Sequence, residues 1–527
     1  MTSHPPPQAV EKHPDGSQND TPTEDPEKQT GPDEPNFASR LSEGKSDSMG
    51  SAPQPSEEYI ECPGRSQYRF NWSESRKWLI TVVACFITFI VGINGTAITT
   101  AATQINERFN VSDASFPNSY WPITSWTVAA GIFPLAGLPL METFGLRYGY
   151  LAAYCVFVVF IIPQAVCQNY ATLIVSRVFS GGCAGILQNI AGGIVSDIWR
   201  GEGARSTPTA LFIWAYLAGT TIGPVIGGAI LKYLYWRWIL YIQLIFYGAF
   251  FPLIYTVIPE IRAAVILSRR AAHLRHTTRL PYHTPDDLTH TSLSTLVTTA
   301  ICRPLRMLCT EYVVFSITLW SAFCFGNCLL FTQSVGTVFT TLYSFTSPQT
   351  GFVQSALVIG ITLGFLASLP HTRIYLRTRA RNPERPNHPI PEARLYLSIP
   401  GSFVGLAGGF FWYAWTSYPF LPWILPAIGL GLVGFGIFTV VCAASNYLED
   451  AYEKYAASAM AAVAFGENLF AGFLPLAEAA MYERLGLNWA SCLLAFLGLA
   501  LSAAPVVLVV KGRGLRARSP FMGESLH

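Results

Sequence analysis

The side chains best suited to chemistry in this 527-residue sequence are a few polar groups set inside long apolar runs. Removing a carboxylate from water disfavours its ionised form, so an acid deep in such a run can bind a proton and release it again. Glu142, Asp197, Glu260, Glu311, Glu449 and Asp450 all lie at the ends of apolar runs. Glu467 does not. It falls eleven residues into the run that begins at Ala456, about 16 Å along a helix rising ~1.5 Å per residue. Asn468 follows it, and Glu478 lies nearer the far end of the same run. Imidazole offers no substitute, because the nine histidines fall in the tails or between His273 and His290 and between His371 and His388. Glu467 is therefore the expected proton-binding group, the alternative being an acid hydrogen-bonded for structure.

Arg177 stands inside another apolar run. A guanidinium there costs about 3 kcal/mol or more unless it faces protein or water. Either a partner compensates it, with Glu467 a candidate partner, or its long stem carries the charge out to the interface. A third run contains Gly219-Thr220-Thr221-Ile222-Gly223-Pro224-Val225-Ile226-Gly227-Gly228. Gly219, Gly223 and Gly227 recur every four residues and so share one helix face, where a second helix can approach closely. Pro224 lacks a backbone donor and bends the run. The segment is predicted to be both a hinge and a contact seam, generic small-residue packing being the plainer reading.

The elements that position these groups follow from composition. Hydrophobic residues make up 51% and charged residues 13%, against roughly 25% charged in soluble domains. The apolar runs reach about 20 residues, the length that crosses a hydrocarbon layer ~30 Å thick. Twelve are predicted: Trp78 to Ala102, Tyr120 to Met141, Tyr148 to Val166, Ala171 to Val195, Ala210 to Leu231, Trp238 to Ile258, Tyr312 to Val335, Gly351 to Leu369, Leu395 to Trp415, Pro422 to Ala444, Ala456 to Ala480 and Ala490 to Val510. The chain is thus read as an all-α membrane protein of two six-helix halves, 76–260 and 311–511, a pattern of parallel transporter repeats. A polar linker, 261–310, joins them, and the tail 512–527 closes the chain. Residues 1–75, rich in Pro, Ser, Glu and Asp, are read as a disordered tail without a cleaved secretory signal. The eleven cysteines lack the paired spacing of a zinc site or disulfide framework, and no metal is expected. The net charge of +2 suggests no nucleic-acid partner.

Basic residues are retained on the cytoplasmic side. With both termini cytoplasmic, that face carries Arg147, Arg200, Arg205, the linker, Arg373, Arg377, Arg379, Arg381, Arg385, Lys454, Lys511, Arg513, Arg516 and Arg518, whereas the opposite loops hold Arg108, Lys232, Arg237 and Arg484. The sequon Asn110-Val111-Ser112 then lies outside, with Asn110 a glycosylation candidate. Glu449 and Asp450 end the tenth run, and Glu392 and Arg394 open the ninth. Such groups could form ion pairs that break as the halves rock, or stay solvated and contribute little.

Several motifs resemble those of the major facilitator superfamily. Glu142, Gly145 and Arg147, in Gly137-Leu138-Pro139-Leu140-Met141-Glu142-Thr143-Phe144-Gly145-Leu146-Arg147, match its cytoplasmic loop signature, although Thr143 and Leu146 stand where basic residues are usual. Arg177 ahead of Gly181, Gly182 and Gly185 is similar to its fourth-span signature. Gly219, Gly223, Pro224, Gly227 and Gly228 resemble the antiporter signature of drug:proton exchangers. Asp197-Ile198-Trp199, Trp236-Arg237-Trp238, Pro259-Glu260 and Met481-Tyr482 look like the fungal twelve-span branch that exports drugs, polyamines and toxins.

The resemblance implies the major facilitator fold and a secondary transporter, not an enzyme, that exports a small organic molecule by proton antiport. The proton gradient is then its energy source, with no cofactor. Its implied proton-coupling pair is Glu467 and Arg177, since the first span offers Asn94 and Thr96 where many such antiporters place an acid. Spans 1, 4, 7 and 10 line the cavity in this superfamily, making Asn94, Gln188, Asn189, Trp320, Asn327 and Gln333 the expected cargo-binding side chains. A single deep acid favours a neutral or amphiphilic cargo. The expected partners are small molecules, protons and lipid, the expected state a monomer, and the expected site the plasma membrane, with the vacuole as alternative. A proton-coupled or facilitative nutrient importer and a non-transporting nutrient sensor are the competing readings.

Overall fold

The computed structural model describes residues 72–113, 117–199, 201–278, 293–380 and 390–523. The expected tail therefore lies almost wholly outside the described residues, as do Arg200, Arg381, Arg385 and the linker's Pro285, Asp286 and Asp287. Among the described residues all regular structure is helical, and twelve passages make up the bundle. The first half comprises α1 (Glu74–Thr96), α2 (Trp121–Phe144), α3 (Leu146–Val166), α4 (Tyr170–Ile198), α5 (Glu202–Leu231) and α6 (Arg237–Val257). The second comprises α7 (Tyr312–Tyr343), α8 (Ser355–Ala380), α9 (398–416), α10 (Ile424–Tyr452), α11 (Ala456–Phe473) and α12 (Leu487–Leu501). A 3₁₀ turn, Leu474–Ala477, joins α11 to a short continuation, Glu478–Leu485, and Gly401–Gly408 within α9 is π-helical. Nine stretches among the described residues are long and apolar enough to cross a membrane, the last of which, Ile424–Gly512 at 89 residues, holds α10, α11 and α12. The pieces of α9 are each too short to count alone.

Several helices outrun their apolar segments. The eighth passage, expected to end near Leu369, continues to Ala380 through Arg373, Arg377 and Arg379, and the tenth, expected to end near Ala444, continues to Tyr452. Hydropathy marks the portion within hydrocarbon, whereas the backbone ladder carries on into water. The linker, expected to be a polar stretch, contains the helices Ala263–Thr278 and Leu293–Thr310. The second of these packs on α2 and α11.

Burial divides the helices into an inner and an outer set. The most apolar window of α7 is 83% buried and that of α4 72%, against 28% for α6. Val159, Ile162, Ile245, Phe246, Val404 and Phe496 stand outward on α3, α6, α9 and α12. A fold in water would hide such a belt, and a bilayer replaces the water it would otherwise face.

The glycines of α5 form a seam against α1. A Cβ at Gly219 would lie 2.4 Å from the Phe89 carbonyl oxygen, and one at Gly223 would lie 2.0 Å from Thr96 Oγ1. Pro224 leaves the carbonyl of Thr220 without its i+4 donor, and Thr96 Oγ1 donates to that oxygen at 2.6 Å. One helix thus supplies the hydrogen bond that the proline in its neighbour removes. The halves meet along α2 and α11, where Thr124 Oγ1 donates to the Gly472 carbonyl at 2.9 Å, and along α5 and α8, where Trp214 Nε1 donates to Thr362 Oγ1 at 3.1 Å.

Candidate functional site

Three buried charged centres organise the interior. The first is Arg177 on α4, fully enclosed and held by three backbone carbonyls. Its Nε donates to Pro122 at 2.8 Å, Nη1 to Asn94 at 2.9 Å and Nη2 to Gly95 at 2.5 Å. The planar guanidinium fork matches three fixed acceptors at once. Of the routes open to Arg177 in the sequence, compensation inside the bundle is the one taken, and these three hydrogen bonds remain within the first half, on α1 and the start of α2. None goes to Glu467.

The second centre is Glu467, buried on α11. Ser321 of α7 donates a hydrogen bond to its Oε1. Across the boundary between halves, Tyr216 of α5 stacks on Phe325 of α7 at a ring separation of 5.0 Å, and a Cβ at Gly131 of α2 would lie 2.9 Å from Cβ of the adjacent Asn468. Asn468 Nδ2 donates to the Ala464 carbonyl at 2.8 Å. The acid consequently sits on α11 against α7, next to the contact of α11 with α2, with a single hydroxyl as its hydrogen-bond partner among the described residues.

The third centre lies at the end of the bundle where α1 begins and where most basic residues gather, here termed the Arg-rich end. Arg205 of α5 pairs with Glu449 at 3.1 Å and Asp450 at 3.0 Å, both on α10. Asp450 also accepts from Arg394 Nε at 2.7 Å and from the Tyr375 hydroxyl at 3.0 Å. Arg394 Nη1 donates to Ser206 Oγ on α5 at 2.7 Å, and its guanidinium lies 3.5 Å from the Tyr375 ring centre. These contacts clasp the two halves together. Solvated surface pairs contribute little, but Asp450 is buried and shared by two arginines, a stronger arrangement when geometry is good.

Two cavities open on opposite ends. The Arg-rich end holds one of about 690 Å³, walled by apolar groups such as Leu138, Met141, Phe212, Ile213 and Met460, with Asn189 and the clasp residues Arg205, Glu449 and Asp450. The Arg-poor end holds one of about 410 Å³, walled by hydroxyls and amides including Thr99, Thr332, Gln333, Thr337 and Gln354. The proposed cargo residues therefore separate. Asn189 lines the first cavity and Gln333 the second. Asn94 is enclosed and donates to Gln243 Oε1 at 2.7 Å, Trp320 donates to Ser402 Oγ at 3.2 Å inside the second half, and Asn327 donates to the Phe323 carbonyl at 2.7 Å. Gln188 is buried with its Nε2 unpartnered. Asn94 Oδ1 and Asn327 Oδ1 are likewise unpartnered.

The loop between α2 and α3 shows what its glycine does. Gly145 has φ +107°, and a Cβ there would lie 2.8 Å from Glu260 Oε2. The Glu260 carboxylate accepts from the amides of Leu146 and Arg147 at 3.1 and 3.2 Å, capping the first turn of α3, where an acid also meets the positive end of the helix. Arg147 Nη2 donates to the Tyr255 carbonyl at 2.9 Å. The side chain of Glu142 lies outside the described residues. Ser321, Gln243, Tyr216 and Ser206 carry no local signal in the sequence. Each is a lone polar residue whose partner lies far along the chain.

A family model described as Major Facilitator Superfamily matches residues 84–475. The chain belongs to the major facilitator superfamily. A facilitator of this kind is a multi-pass membrane transporter of small molecules, which agrees with the belt of outward apolar side chains. Similar proteins include the transporter paaT of Penicillium rubens, 32% identical over 452 residues that cover 86% of this chain and 81% of that one. The efflux pump atB of Aspergillus terreus is 33% identical over 398 residues, 75% of this chain and 83% of its own length. The multidrug transporter mdrA of Aspergillus fumigatus is 30% identical over 456 residues, 86% of this chain and 74% of its own. Among solved structures, the proton:xylose symporter XylE superposes with a TM-score of 0.60 at 15% identity, covering 83% of this facilitator and 97% of that chain. The human organic anion transporter MFSD10 superposes with a TM-score of 0.53 at 16% identity, covering 81% and 99%. At such identities these last two speak for the fold.

Proposed function

We propose that this facilitator exports a small neutral or amphiphilic organic molecule in exchange for protons. The observation that carries the coupling is Glu467, a buried carboxylate at the meeting of the two halves whose hydrogen-bond partner is one hydroxyl. Such an acid holds a proton while enclosed and loses it when the halves part and water arrives. The antiporter-like glycine seam of α5 and the relatives named as an efflux pump and a multidrug transporter support the outward direction.

In this reading the Arg-rich end is cytoplasmic, both termini are inside, and the transporter works as a monomer in the plasma membrane. Cargo enters the apolar cavity among Met141, Phe212 and Met460 when the Arg205–Asp450–Arg394 clasp opens, and leaves by the hydroxyl-lined cavity opposite. A cargo of this kind needs little from the enclosed Asn94, Trp320 and Asn327 until the halves move. Asn110, exposed in a left-handed turn at φ 52°, then lies on the outer face, open to glycosylation.

The deciding experiment is reconstitution in vesicles with an imposed proton gradient and a panel of neutral, anionic and cationic amphiphiles. Cargo should move uphill against the direction of proton flow. Uphill movement in the same direction as protons would overturn the exporter assignment, and movement indifferent to the gradient would overturn the coupling.

A further inference from the structure

Glu478 is a second buried carboxylate that the coupling scheme above leaves unused. It is 4% exposed, opens the short helix Glu478–Leu485, and borders the cavity at the Arg-poor end. Thr337 of α7 lines the same cavity, and Glu478 Oε1 is buried without a hydrogen-bond partner. It follows Glu467 along the same helical path by about three turns, with the 3₁₀ turn Leu474–Ala477 between them.

Among the described residues, the cavity lining beside Glu478 offers it no cation. Tyr120, at the turn just before α2, lines the same cavity, Tyr413 of α9 lies within electrostatic range, and Tyr482 and Glu483 belong to its own helix. Asp113 stands in the cavity wall. The segment 97–109 that follows α1 and the Ser347–Val353 helix contribute hydroxyls, Thr99, Thr100, Thr103 and Thr350. No Lys or Arg lines this cavity among the described residues. Arg177, a buried cation whose charge reaches Tyr120, is committed to three carbonyls. Three carboxylates with no basic counterpart give the cavity a negative field, which draws cations inward and raises their rate of arrival by about 10-fold or more.

We propose that Glu478 is the outer proton-loading residue of this transporter, taking a proton from the Arg-poor cavity and passing it through cavity water to Glu467. The inference rests on the antiport reading. A hydronium ion in the cavity gives its proton to the Glu478 carboxylate and leaves water. When the outer cavity deepens, that proton moves to the Glu467 carboxylate and Glu478 is ionised again. Glu467 then releases the proton at the Arg-rich end, so one proton enters per Glu467 turnover. The path needs no oxidant, metal or covalent intermediate.

The test uses the full-length transporter in vesicles, with proton-driven export measured while the pH on the Arg-poor side is varied. Cargo counterflow at equal pH, which requires no net proton movement, is the companion measurement. Glu478→Gln should slow proton-driven export about tenfold and flatten its dependence on pH at the Arg-poor side. Glu478→Asp should recover part of both. The loss should be concentrated in the proton-driven mode, with counterflow much less affected. A wild-type pH profile in Glu478→Gln would overturn the proposal. So would an equal loss of export and counterflow, which would mark Glu478 as structural. A wild-type protein without any proton dependence would instead remove the antiport reading itself, a result visible before any variant is made.

Discussion

Arg177 and Glu467 are both buried charges, one in each half, and their surroundings differ in kind. Arg177 meets three carbonyls supplied by the backbone of α1 and the start of α2, acceptors that cannot swing away without unwinding a helix. Glu467 meets one serine hydroxyl on α7, a group that turns about a single bond. A charge tied at three points stabilises one arrangement, whereas a charge tied at one point is free to become neutral and charged again. In the proposed antiport scheme the first half therefore holds its charge as scaffold, and the second holds its acid as the working part.

Four measurements would break or sharpen that contrast. The largest effect should come from Arg177→Met, which strands three buried carbonyls. A loss of about 3 kcal/mol or more is expected, seen as a collapse of the folded fraction in size-exclusion chromatography of detergent-solubilised protein. A well-folded Arg177→Met would break the comparison outright. Glu467→Gln should behave in the opposite way, keeping the melting temperature of the wild type while proton-driven uphill transport falls about 100-fold. A Glu467→Gln protein that melts early would make that acid scaffold too.

Smaller changes probe the same division. Gly223→Val drives methyl groups into Thr96 and the Ala97 amide, contacts already at 2.0 and 2.8 Å for a bare Cβ. It should cost about 1–3 kcal/mol by overpacking, read as a lowered melting temperature. The finest test pairs two hydroxyl deletions. Thr96→Val removes the bond to the Thr220 carbonyl and should lower stability by about 1 kcal/mol with little effect on coupling. Ser321→Ala should do the reverse, leaving the melting temperature near wild type and slowing proton-driven transport severalfold. Equal effects of both on both measurements would erase the distinction between the halves.

How much of this was legible in the sequence depended on the range over which each property is determined. The twelve passages could be read from local hydropathy because a membrane span satisfies its own backbone and is recognised by its own residues. Glu467 could be picked out because depth within a run is counted along the chain. The glycine seam showed itself for the same reason, since Gly219, Gly223 and Gly227 share a face of one helix. What local pattern cannot give is the partner. Ser321 lies 146 residues from Glu467, and Ser206 lies 188 residues from Arg394. The acids and bases of the clasp were visible as candidates, yet their pairing follows from how α5, α8, α10 and the turn Pro391–Leu395 ahead of α9 converge. The cargo candidates fared unevenly for a related cause. Inner helices expose their polar groups to one another as readily as to a cavity, and spacing does not distinguish the two.

The three acceptors of Arg177 also bear on how the chain is made. Asn94, Gly95 and Pro122 all precede Arg177 in the sequence, so they have left the ribosome before it does. At a synthesis rate of roughly 5–20 residues per second, α1 and α2 are available for several seconds before the cation emerges. The guanidinium therefore enters the bilayer with its socket already present and need not wait in lipid for helices still to be translated. Reversing that order, by moving the arginine to an earlier helix and its acceptors to a later one, would keep the final contacts and lose the safe route to them.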